Sequence, residues 1–413
     1  MIITEYQCIY CGTTFDDFDE KSLSQKHFDM LESFILCNDD LSKVMRISQK
    51  GNRKVIRALQ YVGLIQLNDG FKIEILPKIY DNLNISNSKL IFLKMLKTIF
   101  NINFVNLGFA NTNILRYPIF DIFIDMFIKE VRNILHLGLS CSYENISVNE
   151  NFFNGKLLIS QNLRYNYIHK ERFFIQYDVF TQNNSQNRLL KSTLLLLRTI
   201  ANDINKNSIN ELLSYFKDIQ PSTDYKYDFS KCENNPDCYA YKTILNFARI
   251  FLDNKSFSCF SGDGVSYALL FPMNDIFERY IATLVKKRYI NYDISIQDTS
   301  TYLFEECHNK FNLRPDIVVR CNSKTICILD TKWKSLKDNS IDIQDMYQMY
   351  VYAKRFNCNN VILIYPKIEG VSLNETSYHS DDVTISIKFI DLHSLILENK
   401  ILNDDIFDIT NLK

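Results

Sequence analysis

The chain has 413 residues, of which 46% are hydrophobic and 13% aromatic, so wholesale disorder is excluded. Its formal net charge of −1 excludes a globally basic surface, and any nucleic-acid partner must be met by local positive patches. Eleven cysteines without a repeating spacing, and a start without the features of a signal peptide, predict a cytoplasmic protein with reduced thiols. No stretch reaches the roughly 18 apolar residues that span a bilayer, so no membrane partner is expected.

Residues 1–110 predict a mixed α/β domain. Helical periodicity runs through 22–40 and 52–63, and a hairpin follows, with strands 63–67 and 71–76 joined by the turn Asn-Asp-Gly. A helix followed by a hairpin is typical of winged DNA-binding modules. The same combination is also common in ordinary α+β domains, so both interpretations stay open here.

One pair of cysteines near the start invites a zinc interpretation. Cys8 and Cys11 have the spacing of a ligand pair, and His27 and Cys37 are candidates for the remaining ligands. A second compact pair is missing, which favours small buried thiols instead.

Residues 111–255 predict a largely helical region, with helical patterns at 120–139 and 187–206. Between them, 143–186 is rich in Asn, Tyr and Phe, which could contact a partner or only reflect a biased composition. None of the ten glycines belongs to a phosphate-binding loop, so this chain is not expected to bind a nucleotide.

Residues 256–413 predict a helix, three strands, a helix and a further strand. The first helix begins near Pro272 and Asn274. The second and third strands are joined by a tight link at 321–324 and are therefore antiparallel. The second helix covers 341–356, and the last strand is the apolar run 361–365.

Three charged residues lie on strands that are otherwise apolar. Asp330 and Lys332 face the same way because side chains alternate along a strand, and Asp316 lies on the neighbouring strand. Two carboxylates sharing one ion suit Mg²⁺, and an amine beside them could position a water and stabilise a phosphate transition state. The alternative is an ordinary cross-strand salt bridge.

Neighbouring residues favour the metal site. Glu278 lies on the preceding helix, where it could reach the ion directly or through a water. Gln348 and Tyr352 are four residues apart on one helical face and are predicted to support the site or the phosphate. Lys334 and Lys337 supply positive charge for DNA phosphates.

These motifs carry a family resemblance. Asp316 followed by Asp330-Thr-Lys332 resembles the PD-(D/E)xK nuclease signature, and Gln348 with Tyr352 resembles the QxxxY element of its RecB-like branch. FPMNDIFERY, LRPDIVV, ILDTKWK, DMYQMYVYA and LIYPK together resemble McrC, the nuclease subunit of McrBC systems that restrict DNA with modified cytosine. The likeness extends to the amino-terminal half, through YVGLIQLNDGFKIEILPKI.

The resemblance implies a role and partners. McrC-like proteins bind no GTP themselves but dock on McrB, a hexameric AAA+ GTPase that recognises DNA, and their amino-terminal region inserts into that ring and stimulates hydrolysis. At 154–156 this chain departs from the arginine-rich stretch of the family, so no residue is assigned to that stimulation.

The expected protein is therefore an α+β multidomain chain with a carboxy-terminal PD-(D/E)xK core and an amino-terminal partner-binding region. Its expected activity is Mg²⁺-dependent cleavage, with one or two ions, of double-stranded DNA that carries modified cytosine. Asp316, Asp330 and Glu278 are the expected metal-associated carboxylates, and Lys332 is the catalytic amine. The alternative is an adaptor that does not cut DNA and only activates its partner GTPase.

Overall fold

The structure is a computed structural model in which the chain divides into two compact units. One unit comprises Met1–Ile119 with Ser256–Lys413, and the other comprises Phe120–Lys255. Among the helices that the structure describes, none has both the length and the apolar character needed to cross a membrane. The described residues are 1–12, 21–36, 43–78, 85–100, 118–233, 240–252, 265–304, 310–334, 341–367 and 375–397.

The amino-terminal part of the first unit contains two four-stranded sheets. One has the strand order β3-β2-β5-β4, and the other has the order β1-β7-β6-β11, in which β11 comes from the carboxy-terminal part of the chain. The elements are β1 (Ile2–Thr4), β2 (Cys8–Cys11), β3 (Lys21–Leu23), α1 (Gln25–Leu36), β4 (Met45–Lys50), β5 (Arg53–Ala58), β6 (Tyr61–Leu67), β7 (Lys72–Leu76) and α2 (Ile85–Phe100).

The predictions for this part were partly correct. Helix α1 and the β6–β7 hairpin are confirmed, with Gly63 paired to Ile75. The predicted helix at 52–63 is wrong, because β5 is hydrogen-bonded between β2 and β4 and buries Val55 and Ile56. β-branched residues pack well in such a central strand, and this packing overrides an apparent helical period.

The second unit contains one small antiparallel sheet and several helices. Its sheet has the order β8-β10-β9, and the Asn-, Tyr- and Phe-rich tract forms most of it. The pattern predicted at 187–206 belongs to two helices, because Asn202 caps the second one through its side chain. The elements are α3 (Ile119–Leu137), β8 (Ser142–Glu150), β9 (Lys156–Leu157), α4 (Ile159–Tyr165), β10 (Phe173–Thr181), α5 (Ser185–Ile200), α6 (Asp203–Leu213), α7 (Tyr225–Glu233) and α8 (Lys242–Leu252).

The carboxy-terminal part of the first unit contains a six-stranded mixed sheet with the order β12-β13-β14-β15-β17-β16. The predicted order of helix, three strands, helix and strand is confirmed, and β16, β17 and α11 follow it. The elements are β11 (Val265–Pro272), α9 (Met273–Arg288), β12 (Asp293–Ile296), β13 (Ile317–Cys321), β14 (Lys324–Thr331), α10 (Ile343–Arg355), β15 (Asn360–Pro366), β16 (Glu375–Ser380), β17 (Val383–Ile390) and α11 (Leu392–Leu397).

The predicted segments 1–110 and 256–413 lie in one compact unit rather than in two separate domains. Strand β11 pairs along β6, and its Ala268 and Leu270 belong to the same hydrophobic core as Ile9 and Ile65. Gly63 of β6 permits this close approach, since a side chain there would collide with the backbone of β11. A strand that is distant in sequence therefore completes the amino-terminal sheet.

Candidate active site

Strand register brings the two predicted metal ligands together. Strands β13 and β14 are antiparallel and pair Ile317 with Leu329, so Asp316 and Asp330 form the next opposed pair at the strand ends. Opposed residues of an antiparallel pair project to the same side of the sheet, with Cβ atoms about 4.5–5.5 Å apart. The tight link at Asn322 and Ser323, where φ is positive, pairs Cys321 with Lys324. An irregularity between Val319 and Arg320 then shifts the register by one residue, and this shift places Asp316 opposite Asp330.

Asp316 is held in place by the residue that follows Asp330. Its Oδ2 accepts a hydrogen bond of 2.7 Å from the Thr331 backbone N–H and one of 2.8 Å from the Thr331 hydroxyl. Its own backbone carbonyl accepts from the N–H of Gln297 at 2.8 Å. The carboxylate therefore has a fixed orientation before any ligand binds.

Lys332 links the carboxylates to helix α10. Its Nζ lies 2.8 Å from Asp330 Oδ2 and donates a hydrogen bond of 3.0 Å to Gln348 Oε1. Gln348 Nε2 in turn donates to the Tyr352 hydroxyl at 2.8 Å. The four residues form a continuous chain of polar contacts, in which Gln348 sets the direction of the lysine side chain.

Glu278 reaches the same region from α9. Its side chain is buried, with 8% of the residue exposed, and the nearby charge of Asp316 affects its ionisation. The Gln297 side chain donates a hydrogen bond to it. Within the described part of the chain, Glu278 Oε1 is buried and accepts no hydrogen bond.

Burial and mutual repulsion make the carboxylates harder to ionise. Burial and then the Asp316 charge raise the pKa of both Asp330 and Glu278 to about 7. Burial also raises the pKa of Asp316, although the Thr331 hydrogen bonds oppose this. For Lys332, burial favours the neutral amine, but the surrounding carboxylates, led by Asp330, raise its pKa and keep it charged.

The donor set fits a hard divalent cation. No three His, Cys, Asp or Glu side chains among the described residues form a ready-made metal cluster. Mg²⁺ does not need one, because it is usually held by one or two carboxylates together with waters and substrate phosphate. Asp330 Oδ2 is buried, and its polar partner among the described residues is the Lys332 ammonium, 2.8 Å away. Asp316 and Asp330 would hold such an ion, with Glu278 beside them.

Comparison with known proteins identifies the family. A family model described as "McrBC 5-methylcytosine restriction system component" matches residues 56–366, well over half of the chain. The chain belongs to the McrBC family. The resemblance that its motifs predicted is thereby confirmed.

Solved structures of McrBC assemblies are similar to the chain. One matched chain is in the refined half-complex of Thermococcus gammatolerans McrB AAA+ hexamers with bound McrC; the match covers 97% of this chain and 99% of that chain, with 17% identity and a TM-score of 0.63. A second is in the cryo-EM structure of the Thermococcus gammatolerans McrBC complex, with 71% and 89% coverage, 19% identity and a TM-score of 0.49. The first likeness shows a shared fold. A comparison with curated proteins gives no match.

Of the two lysines predicted to contact DNA phosphates, the structure describes Lys334. Lys334 lies 3.1 Å from Asp345 Oδ2 and 3.4 Å from Asp342 Oδ2, so carboxylates already compensate its charge. Lys337 lies outside the described residues. Arg314 is exposed, and its guanidinium donates to the side-chain oxygen of Gln297, a neutral partner. Arg314 therefore keeps its positive charge available next to Asp316.

Thr331, Gln297 and Arg314 are site residues that the sequence motifs did not indicate. Thr331 and Arg314 lie inside the quoted motifs, so their position next to Asp330 and Asp316 was the available signal. Gln297 gave none, because its role depends on a left-handed backbone conformation, with φ of 50°, that directs its N–H to the Asp316 carbonyl. No local sequence pattern marks that conformation.

The proposed zinc ligands do not form a zinc site within the described residues. Cys11 Sγ donates to Gln25 Oε1 at 2.9 Å, and His27 Nε2 lies 2.9 Å from Asp69 Oδ2. Cys8 is a free thiol, and Cys37 lies outside the described part of the chain. Cys11 and His27 thus have polar partners of their own.

Proposed function

We propose that this chain is the Mg²⁺-dependent DNA endonuclease subunit of a GTP-dependent restriction complex directed against modified cytosine. One observation carries the proposal: Asp316, Asp330 and Lys332 converge at the ends of β13 and β14, with Glu278 beside them. Burying several carboxylates together costs several kcal/mol unless a cation compensates them. The element order and these residues support a PD-(D/E)xK core.

Each residue has a distinct role in phosphodiester hydrolysis. A bound Mg²⁺ would supply Lewis-acid stabilisation of the phosphate charge and a water of lowered pKa. Asp316 and Asp330 would hold that ion, and Thr331 keeps Asp316 in a fixed orientation. Lys332 orients the attacking water and stabilises negative charge as it develops on the phosphate.

The polar chain on α10 keeps Lys332 in position. Gln348 accepts a hydrogen bond from the ammonium, and Tyr352 fixes Gln348. This arrangement holds the amine at a defined place while it also contacts Asp330. Preorganised donors of this kind need little rearrangement during the reaction, which is why they accelerate it.

Two arginines provide charge for the DNA strand. Arg314 lies beside Asp316, and the exposed Arg279 follows Glu278 on α9. Burial raises the pKa of both carboxyl groups, and the charges of Arg314 and Arg279 oppose this rise at Asp316 and Glu278, respectively. With three carboxylates, one lysine and one bound Mg²⁺, the site itself would carry no surplus positive charge for a DNA strand. We therefore assign phosphate contact to Arg314 and Arg279 in place of the compensated Lys334.

The GTP requirement belongs to a partner. This chain has no phosphate-binding loop, and the similar Thermococcus gammatolerans structure contains McrB AAA+ hexamers with bound McrC. We propose that this chain docks on a McrB-like AAA+ GTPase hexamer and stimulates it. The partner also supplies recognition of the modified base. It supplies much of the DNA affinity too, since this chain has no global positive charge.

The test is a cleavage assay of the complete complex on methylated and unmethylated plasmid, with and without GTP and Mg²⁺. We expect cutting of the methylated plasmid only when both are present. Lys332→Ala should lower the cutting rate by at least about 10²–10³ and leave GTPase stimulation intact. Lys354→Ala, an exposed lysine on the same unit that pairs with Asp382, is the matched control.

Two outcomes contradict the proposal. Wild-type cutting by the Lys332→Ala complex would remove the lysine from the mechanism. A complex of unmutated subunits that stimulates GTP hydrolysis but cuts no modified DNA would identify the chain as an adaptor that only activates its partner.

A further inference from the structure

The residue after the catalytic lysine makes an unusual long-range contact. Trp333 is buried, with 5% of the residue exposed, and is the single tryptophan of the chain. Its indole Nε1 donates a hydrogen bond of 3.1 Å to Glu5 Oε2, which lies 328 positions away in sequence. A residue at the amino terminus therefore contacts the segment that carries Lys332.

Glu5 is fixed by the amino-terminal sheet. It follows β1, which pairs in parallel with β7, and its backbone N–H donates to the Leu76 carbonyl at 3.0 Å. The same Oε2 also accepts from the backbone N–H of Lys78 at 3.0 Å. Glu5 is 1% exposed, and its Oε1 accepts no hydrogen bond from the described residues. The carboxylate is thus rigidly held and points at the indole.

Trp333 connects Glu5 to both sides of the candidate active site. Its ring packs against Phe277, with 5.3 Å between ring centroids and an interplanar angle of 56°. Phe277 directly precedes Glu278 on α9, and Trp333 directly follows Lys332. The orientation of one indole ring therefore constrains the backbone next to two of the proposed site residues.

We propose that Glu5 is a positioning residue for the nuclease site, which orients Lys332 through its hydrogen bond to Trp333. The inference rests on the proposed function. A buried carboxyl group is an expensive way to fill space, and burial raises the pKa of Glu5 to about 7. An apolar side chain would pack there at lower free-energy cost. The bond to Trp333 gives a reason for placing an acceptor there.

The test compares Glu5→Ala, Glu5→Gln and Trp333→Phe in the full chain assembled with its GTPase partner. Glu5→Gln keeps an oxygen that can accept from the indole, whereas Glu5→Ala removes it. Trp333→Phe removes the N–H donor but keeps an aromatic ring against Phe277. Residues that orient a reactive group typically contribute about 10–100-fold.

We expect Glu5→Ala and Trp333→Phe each to lower kcat for DNA cleavage by about 10–100-fold, with KM for DNA and GTPase stimulation within about twofold. Glu5→Gln should restore kcat to within about twofold of the wild-type value. The double variant Glu5→Ala/Trp333→Phe should be no worse than either single variant, because both remove the same bond. Fluorescence of the single tryptophan should change in Glu5→Ala and be retained in Glu5→Gln.

Several results would overturn the inference. Wild-type kcat in Glu5→Ala or in Trp333→Phe would do so, as would equal losses of kcat, GTPase stimulation and melting temperature, which indicate a general structural role. If Glu5→Ala does not fold, Trp333→Phe carries the same test. Failure of the unmutated complex to cut would instead refute the proposed function, and the positioning role with it.

Discussion

Thr331 donates two hydrogen bonds to one oxygen of Asp316, at 2.7 Å from its backbone N–H and 2.8 Å from its hydroxyl. Thr331 is the middle residue of Asp330-Thr331-Lys332, a position that a spacing motif treats as variable. Here it joins the carboxylate of one strand to the carboxylate and amine of the next. Asp330 and Thr331 are the last residues of β14 and Lys332 follows them, so all three consecutive residues serve the same site.

Removing the Thr331 hydroxyl tests this link. Thr331→Val keeps the backbone hydrogen bond and the side-chain shape but removes one of the two donors to Asp316. We expect kcat for cleavage to fall by about 10-fold, in the range of residues that orient a metal ligand. Thr325→Val, at the far end of the same strand, is the control. If Thr331→Val and Thr325→Val cleave DNA at the same rate, the Thr331 hydroxyl does not orient Asp316.

Metal binding should stabilise the protein through Asp330. At Mg²⁺ concentrations about 100 times its dissociation constant, the free energy of unfolding should rise by about 2.7 kcal/mol. Asp330→Asn should abolish this gain, whereas Asp381→Asn, on an exposed turn, should retain it. Thermal unfolding with and without Mg²⁺ measures both. An undiminished gain in Asp330→Asn would exclude Asp330 as a ligand.

Metal affinity should also depend on pH. The pKa of Asp330 is raised to about 7, so below that pH a proton competes with the ion for the same carboxylate. We therefore expect the apparent affinity for Mg²⁺ to weaken as the pH falls from about 8 to about 6, as measured by calorimetric titration. Affinity that stays constant over this range would contradict the assignment.

The phosphate contact assigned to Arg314 should appear in the salt dependence of DNA binding. Removing one arginine–phosphate ion pair should make the slope of log K against log salt shallower by about 0.9. We expect this change for Arg314→Ala in a complex that also carries Lys332→Ala to prevent cutting. Lys334→Ala should leave the slope unchanged, because Asp345 already compensates that lysine. A shallower slope for Lys334→Ala together with an unchanged slope for Arg314→Ala would instead assign the phosphate contact to Lys334.

Glu5 should contribute to the pH dependence of stability. Its pKa is raised from 4.5 to about 7, so the folded protein binds more protons than the unfolded chain between these values. Stability from this group is complete below pH 4.5 and is lost as the pH rises through about 7, by about 3 kcal/mol in total. Glu5→Gln should remove this contribution to the pH dependence of the free energy of unfolding. Urea unfolding at about pH 5 and about pH 8 measures the change in the free energy of unfolding between these pH values. The same change in the wild-type protein and in Glu5→Gln would contradict the prediction.

The sequence predicted the local organisation of the carboxy-terminal region well. Its helices and strands have strong periodicity, and the alternation of Asp330 and Lys332 along a strand follows from backbone geometry alone. The tight link at 321–324 shows that β13 and β14 are antiparallel. Only the register between these two strands could not be predicted. Family resemblance added the roles of Gln348 and Tyr352, which the structure places in one hydrogen-bonded chain with Lys332.

Other features depend on interactions between distant parts of the chain. No local pattern shows that β11 pairs with β6, that Glu5 contacts Trp333, or that Asp345 compensates Lys334. The apolar spacing at 52–63 fits the period of a helix as well as that of a strand, which is why a helix is predicted there. Only the pairing of β5 with β2 and β4 decides in favour of the strand. These features are therefore determined by tertiary interactions, which local secondary-structure propensity does not show.

The most direct measurement is an anomalous difference map from crystals of the full chain soaked with Mn²⁺, a substitute for Mg²⁺. We predict a peak between the carboxylates of Asp316 and Asp330, close to Lys332, and its disappearance in Asp330→Asn. A site elsewhere in the wild-type protein, or no peak at a Mn²⁺ concentration that supports cleavage, would contradict a shared ion at the ends of β13 and β14.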